Sequence, residues 1–163
     1  MSLKIPLFII AGVLLVSCYS FTATTLPAHI KTVRIADVDY RNYDPVLGNR
    51  LKDGITELFR INAPAVRMVN DNADADFSVI PLSYSNRPET QSSNAEVETY
   101  RVTMGVSVSF YDNVRKKSIY ENQNVQAIGS YDVLKNESEE VHGQERAIKL
   151  LQEIIVANAL ARW

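Results

Sequence analysis

Cysteine, histidine and glycine are all scarce in this sequence. A single cysteine among 163 residues excludes a disulfide bond within the chain. The two histidines, His29 and His142, have no partner spaced for a metal site or a catalytic triad, and we expect both to be solvated. No glycine-rich phosphate loop follows a strand, and the serines lack a nucleophile-elbow context. We therefore expect neither an enzyme nor a metal or bound cofactor.

An excess of charge of one sign is also missing. The chain has 17 basic and 19 acidic residues, which gives a formal net charge of −2. A general attraction to nucleic acid or to anionic lipid is therefore not expected. Any binding of anions must come from a local cluster of basic residues.

A calcium loop is excluded by two missing residues. Asp71, Asp74 and Asp76 lie in the segment NDNADAD, and this group of aspartates suggests a calcium-binding loop. An EF-hand loop needs a glycine at its sixth position and a glutamate at its twelfth, where this chain has Asp76 and Leu82. We predict a turn here instead.

What is present is an apolar run that ends on the one cysteine. The mostly apolar segment 5–16 is too short to span a bilayer as a mature helix. Leu15-Val16-Ser17-Cys18 matches a bacterial lipobox. We predict that residues 1–17 are a lipoprotein signal peptide, and that Cys18 carries a diacylglycerol on its thiol and an acyl chain on its amine. The alternatives are an uncleaved anchor that contains the cysteine, and ordinary secretory cleavage after Ser17.

The residues after the cysteine predict where the protein is held. Tyr19, rather than an aspartate, follows Cys18, which favours export to the outer membrane, facing the periplasm, over retention in the inner membrane. Residues 18–29 are rich in threonine and serine and contain Pro27, so we predict a lipidated tether. Residues 30–163 are predicted to form a single α+β domain.

Hydrophobic periodicity and turn signals predict the elements of this domain. In chain order they are a strand from Ile30, a helix from Pro45 to about Asn62, a short strand over 65–69, a strand over 77–84, a polar loop over 85–96, long strands over 99–111 and 117–131, and a helix capped by Asn136. Pro81 predicts an edge or a bulge in its strand, while Ile80, Leu82 and Tyr84 are expected to share one face. The two helices are predicted to pack on one face of a mostly antiparallel, about four-stranded sheet.

The two long strands are predicted to form an antiparallel hairpin. Alternate residues from Tyr100 to Phe110 are apolar, and the intervening Thr103, Ser107 and Ser109 are polar. We expect the helices to cover the apolar face and to leave the polar face uncovered. The second strand is unusually polar, and we expect its Asn122 and Asn124 to be solvated or to meet a polar surface.

A basic turn joins these two strands. It contains Arg115, Lys116 and Lys117, and Arg101 lies farther along the first strand. One interpretation is a solubilised hairpin tip. The other is a contact for anionic groups, because clustered arginine and lysine bind phosphate or carboxylate by charge and by the fork geometry of arginine.

Several stretches resemble, in their order and spacing, the LptE family of lipopolysaccharide-assembly lipoproteins. They are CYSFT at Cys18 to Thr22, LPAHIKTVRI at Leu26 to Ile35, Tyr40-Arg41-Asn42, ADFSV at Ala75 to Val79, ETYRVTMGVSVSFYD at Glu98 to Asp112, and the terminal ARW. Together they cover nearly the whole chain after the predicted signal peptide.

The resemblance implies a sandwich of two helices and four strands that plugs the lumen of LptD, a large outer-membrane barrel. Such a plug assists assembly of the barrel and helps deliver lipopolysaccharide to the cell surface. Barrel lumens are polar, so the candidate barrel contacts are Thr103, Ser107, Ser109, Asn122 and Asn124. Lipopolysaccharide carries phosphates or acidic sugars, so its candidate contacts are Arg101, Arg115, Lys116 and Lys117. The alternative is an independent periplasmic lipoprotein that acts as an adaptor in another cell-envelope complex.

Overall fold

The α+β class is confirmed, but the sheet is larger than predicted. A computed structural model describes residues 26–38, 44–91, 96–134 and 139–161. Its elements are β1 (Thr32–Ile35), α1 (Pro45–Asn62), β2 (Arg67–Met68), β3 (Ala75–Gln91), β4 (Val97–Asp112), β5 (Lys117–Asp132) and α2 (Glu140–Leu160). The strands form one five-stranded sheet in the order β2-β1-β3-β4-β5.

The sheet is mixed, and the prediction of a mostly antiparallel, four-stranded sheet is corrected. β1 is parallel to both β2 and β3, whereas β3, β4 and β5 are antiparallel neighbours. The chain leaves β1, runs back along α1 and re-enters the sheet in β2. A crossover of this kind places the two strands side by side in the same direction.

Local signals set the bounds of α1, which are those predicted. The Asp44 carboxylate accepts a hydrogen bond from the backbone N–H of Val46 at 2.7 Å, and Pro45 is the first helical residue. Both features favour a helix start. The apolar positions Leu47, Leu51, Ile55 and Phe59 recur at helical spacing and are buried.

The polar loop predicted over 85–96 is wrong for most of its length. β3 continues to Gln91, and its residues Ser85 to Pro88 pair with Thr103 to Tyr100 of β4. The Asn86 amide also donates to the Tyr131 hydroxyl at 2.9 Å. The polar composition suggests a loop, but pairing with a long neighbouring strand overrides that local preference.

The bulge predicted at Pro81 is confirmed. The register passes from Pro81 opposite Val106 to Ser83 opposite Gly105, so Leu82 is an extra residue in β3. An extra residue reverses the alternation of side chains. Tyr84 therefore packs against the core, while Leu82 is 44% exposed and Ile80 is 46% exposed. The expectation that these three share one face is wrong.

The last helix begins later than predicted. α2 starts at Glu140, and Glu139 occupies the N-cap position without a side-chain hydrogen bond. The predicted cap, Asn136, lies outside the described residues. The apolar stripe of α2 is confirmed, because Ile148, Leu151 and Ile155 are buried.

Both helices pack on one face of the sheet, as predicted. The β4 side chains on that face, from Val102 to Phe110, are fully buried. The rings of Phe59, Phe77 and Phe110 meet edge to face with centroids 4.9 to 5.9 Å apart. Within the described part of the chain, no helix has the length and apolar character required to cross a bilayer.

Candidate functional site

The sheet face opposite the helices, here called the outer face, carries most of the predicted site residues. Cross-strand pairing aligns its side chains in rows over β3, β4 and β5. The rows are Ser78–Ser109–Glu121, Ile80–Ser107, Ser83–Gly105–Gln126, Ser85–Thr103–Ile128 and Arg87–Arg101–Ser130. Among the elements that the structure describes, none covers this face.

The five predicted barrel contacts lie on two neighbouring strands, but not all of them share the outer face. Thr103, Ser107 and Ser109 of β4 are half-buried in the outer face, and Asn124 of β5 is exposed beside them. Asn122 is also exposed, but its register partner is Val108 of the opposite face. Hydroxyl and amide groups can each donate and accept a hydrogen bond. These five residues can therefore match either kind of polar group on a partner, and none of them carries a charge.

A bulge explains why β5 is polar along its middle. The register passes from Val106 opposite Val125 to Val108 opposite Asn122, so β5 carries an extra residue there. The Asn122 side chain accepts from the backbone N–H of Asn124 at 3.1 Å, and the Asn124 side chain accepts from the Gln126 amide at 3.0 Å. These amides stabilise the bulge and remain exposed to a partner.

The outer face also presents aliphatic side chains that the sequence analysis missed. Ile80 and Ile128 are each 46% exposed, and pairing places them opposite Ser107 and Thr103. The only sequence signal was the alternation of residues, which the bulges interrupt. The face is therefore a mixture of hydroxyl, amide and aliphatic groups.

Arg101 is already paired within the protein. Its guanidinium donates from Nε to the Glu89 carboxylate at 3.0 Å and makes a second contact through Nη2. The other Glu89 oxygen accepts from the Ser130 hydroxyl at 2.8 Å. The hydrogen bond from Arg101 has the largest effect, and together with the one from Ser130 it holds the pKa of Glu89 below its ordinary value. Glu89 lies in the segment predicted to be a loop, so its ion pair with Arg101 could not be predicted from the sequence.

The structure does not bring Arg101 to the basic turn. Asp112 pairs with Lys117 at one end of the β4–β5 hairpin, and Arg101 pairs with Ser130 near the other end. At about 3.3 Å per residue, the two places are about 35 Å apart along the strands. Arg115, Lys116 and Lys117 are all exposed.

A buried aspartate at the turn anchors His29. The Asp112 side chain is 1% exposed, and it accepts hydrogen bonds from the N–H groups of Val114 at 2.9 Å and Arg115 at 2.8 Å, and from His29 Nε2 at 2.6 Å. Burial raises the pKa of Asp112, but the Arg115 and His29 hydrogen bonds outweigh it, and the pKa is lowered. The expectation that His29 is solvated is therefore wrong.

Two aspartates of the NDNADAD segment hold neighbouring strands. Asp74 accepts from the N–H groups of Lys31 and Thr32 at 2.8 and 2.9 Å. Asp76 accepts from Arg34 Nε at 2.7 Å and from the Asn113 amide at 3.0 Å. In the described ranges, no three histidine, cysteine, aspartate or glutamate side chains are grouped for a metal ion.

Several other predicted features lie outside the described residues. They include the signal peptide over 1–17, the lipidation site Cys18, the segment Tyr40 to Asn42 and Trp163 of the terminal ARW. The predictions made for them stay predictions.

The chain matches one protein family and several solved structures. The LptE family model, described as lipopolysaccharide-assembly, matches residues 30–162. The structure of lipoprotein B from Nitrosomonas europaea is 14% identical, with a TM-score of 0.58 over 87% of this chain and 90% of that one. A Xanthomonas campestris protein is 10% identical, with a TM-score of 0.58 over 85% and 90%. A minor lipoprotein from Acinetobacter baumannii is 19% identical, with a TM-score of 0.50 over 83% and 96%.

At these identities the solved structures are alike in fold alone. No curated protein sequence matches the chain significantly.

Proposed function

The chain belongs to the LptE family of lipopolysaccharide-assembly proteins, and we propose that it is an outer-membrane lipoprotein that plugs an LptD-type barrel. In this role it assists assembly of the barrel and helps deliver lipopolysaccharide to the outer surface. Residues 1–17 are the signal peptide that is removed, and residues 18–29 join the lipid to the domain. The domain faces the periplasm and is inserted in the barrel lumen.

The outer face is the observation that carries this proposal. It is a broad sheet surface of half-buried hydroxyls and exposed amides, represented by Thr103, Ser107 and Asn124. The wall of a barrel lumen is polar, and neutral polar groups can be buried against it when each finds a hydrogen-bond partner. Ile80 and Ile128 add apolar area that gains from leaving water.

Acylation of Cys18 supplies the attachment to the membrane. Each methylene buried in the bilayer contributes about 0.8 kcal/mol, so one chain binds marginally and two or three bind nearly permanently. A lipid-anchored plug needs this permanence, because the barrel it serves never leaves the membrane. The intact mass of the mature protein tests the modification.

The cations that are candidates for lipopolysaccharide contact lie in two separate places. Arg101 lies at one end of the hairpin, and Arg115, Lys116 and Lys117 lie at the other. Headgroup phosphates bind clustered arginine and lysine, but a distance of about 35 Å prevents one headgroup from meeting both places. Arg101 must also exchange its Glu89 partner for the ligand.

Co-purification tests the proposed function directly. Tagged protein extracted from membranes in detergent is expected to bring down a barrel several times its own mass. An independent periplasmic adaptor would instead bring down peptidoglycan or another envelope complex. Recovery of the protein without any barrel contradicts the plug and favours the adaptor.

A further inference from the structure

Exposed lysine and arginine side chains cluster at one end of the sheet. They come from the residue before β1, from β2, from the β4–β5 turn and from the start of β5. Arg67 of β2 is paired with Thr32 of β1. Ala75 of β3 is paired with Asp112 of β4, which is paired with Lys117 of β5. With β1 beside β3, these positions form one row across all five strands, about 19 Å wide at the usual strand spacing. The exposed cations at this end, here called the basic end, are Lys31, Arg67, Arg115, Lys116 and Lys117.

The aspartates at the same end are directed towards donors within the protein. Asp112 is buried beneath the turn, Asp74 is bound by the start of β1, and Asp76 is bound by Arg34 and Asn113. Asp71 is exposed. The charge that the basic end presents to solvent is therefore positive, although the whole chain has a formal net charge of −2.

The segment that leads to Cys18 also joins the domain at the basic end. Leu26 and Ile30 are buried, and the His29 ring is bonded to Asp112 at 2.6 Å. These contacts fix the start of the described chain beside the basic turn. A fully extended chain from Leu26 back to Cys18 spans at most about 28 Å. Acyl chains on Cys18 must therefore enter the bilayer within that distance of Leu26, which lies at the basic end of the domain.

We propose that the basic end lies against the anionic phospholipid headgroups of the leaflet that holds the acyl chains. This inference rests on the proposed lipidation of Cys18. It assigns the basic turn to the leaflet and leaves Arg101 as the candidate for lipopolysaccharide. It also orients the plug, because the end of the hairpin that carries Arg101 points away from that leaflet.

Electrostatics make such a contact effective beside a lipid anchor. A lysine or arginine within a Debye length of an anionic surface raises partitioning about fivefold. Acyl chains combined with a polybasic patch are a common two-signal mode of membrane attachment. The tether keeps the patch close to the headgroups, so even a modest attraction sets the orientation.

Vesicle binding tests the proposal without the lipid anchor. Residues 18–163 with Cys18→Ser keep the whole mature chain and the hydrophobic core of the described residues. They are expressed without the signal peptide, and circular dichroism checks that they fold. Vesicles of phosphatidylcholine, with and without phosphatidylglycerol, are sedimented with the protein. The variant Arg115→Glu/Lys117→Glu is compared with Arg50→Glu/Lys149→Glu, which makes the same change in charge on the helices.

We expect binding to the phosphatidylglycerol vesicles that is lost at high salt. Charge reversal in the turn should weaken it about tenfold or more, and the helix control should change it little. Equal weakening by both variants overturns the proposal, since net charge would then explain the binding. Binding to lipopolysaccharide dispersions but not to phosphatidylglycerol vesicles also overturns it and returns the turn to lipopolysaccharide. Neither result bears on barrel co-purification, which tests the plug separately.

Discussion

The two faces of β4 differ although they alternate along one strand. Its inner face, from Val102 to Phe110, is fully buried beneath the helices. Its outer face, with Thr103, Ser107 and Ser109, is half-buried and lies beneath none of the described elements. The inner face stabilises the domain by burying apolar side chains. The outer face contributes less to this packing, so its residues can be suited to a partner. Substitutions on the two faces should therefore separate stability from assembly.

The largest effect is expected from Phe110→Ala on the inner face. The Phe110 ring is fully buried and lies 5.9 and 5.4 Å from the Phe59 and Phe77 rings. Its removal leaves a cavity, and we expect the free energy of unfolding to fall by about 3–5 kcal/mol. Urea denaturation measures the change. Tyr111→Ala, at the neighbouring position on the outer face, is the control, and an equal loss there would contradict the division of the two faces.

Replacing a glycine by alanine adds one methyl group, and one such glycine on each face allows the two faces to be compared again. A Cβ at Gly129, on the inner face of β5, would overlap the Gly143 carbonyl oxygen and lie 2.6 Å from the Ala147 nitrogen. Because both atoms belong to the backbone of α2, Gly129→Ala should cost about 1–3 kcal/mol.

Gly105 is the matched position on the outer face. A Cβ there would lie 2.6 Å from the Ser83 hydroxyl, which can rotate away. Gly105→Ala should change the free energy of unfolding by no more than about 0.5 kcal/mol. If thermal unfolding ranks the two variants in the opposite order, the close packing of α2 on β5 is wrong.

The smallest expected effect concerns the charged residue on the inner face of β4. The pKa of Asp112 is lowered from 3.8 in the folded state: burial raises it, and hydrogen bonds from Arg115 and His29 outweigh that effect. A carboxylate with a lowered folded pKa stabilises the protein above its unfolded pKa. That stability is lost as the pH falls through the folded pKa. The urea midpoint should therefore decrease below about pH 4.

Asp112→Asn isolates this contribution. The variant should lose part of the acid dependence. Other carboxylates with lowered pKa values, among them Asp74, Asp76 and Glu89, should maintain the rest. An unchanged pH profile in the variant would show that the Asp112 carboxylate does not contribute to it.

Local signals explain why some elements could be predicted. A capping aspartate, a proline and an apolar period coincide at Asp44, Pro45 and the residues that follow, so the bounds of α1 follow from sequence. The alternation of β4 is equally local, and it identified both of its faces. The candidate barrel contacts on β4 follow from the same pattern.

Features that depend on pairing could not be predicted. The continuation of β3 through Asn86 depends on β4, and its composition alone resembles a loop. Bulges at Leu82 and Asn122 interrupt the alternation of side chains between the two faces of the sheet. The exposure of Ile80 and Ile128 on the outer face was therefore not predicted. His29 and Asp112 are far apart in sequence, and the parallel pairing of β1 with β3 together with the antiparallel pairing of β3 with β4 brings them to one end.

Site-specific photocrosslinking in cells tests the central claim that the outer face meets a barrel. A photoreactive residue is placed at Ser107 on the outer face or at Lys149 on α2, an exposed position on the opposite side. We expect a strong adduct between Ser107 and a large outer-membrane barrel, and a weaker one from Lys149. The absence of a barrel adduct at Ser107, with the protein present in the outer membrane, would contradict it.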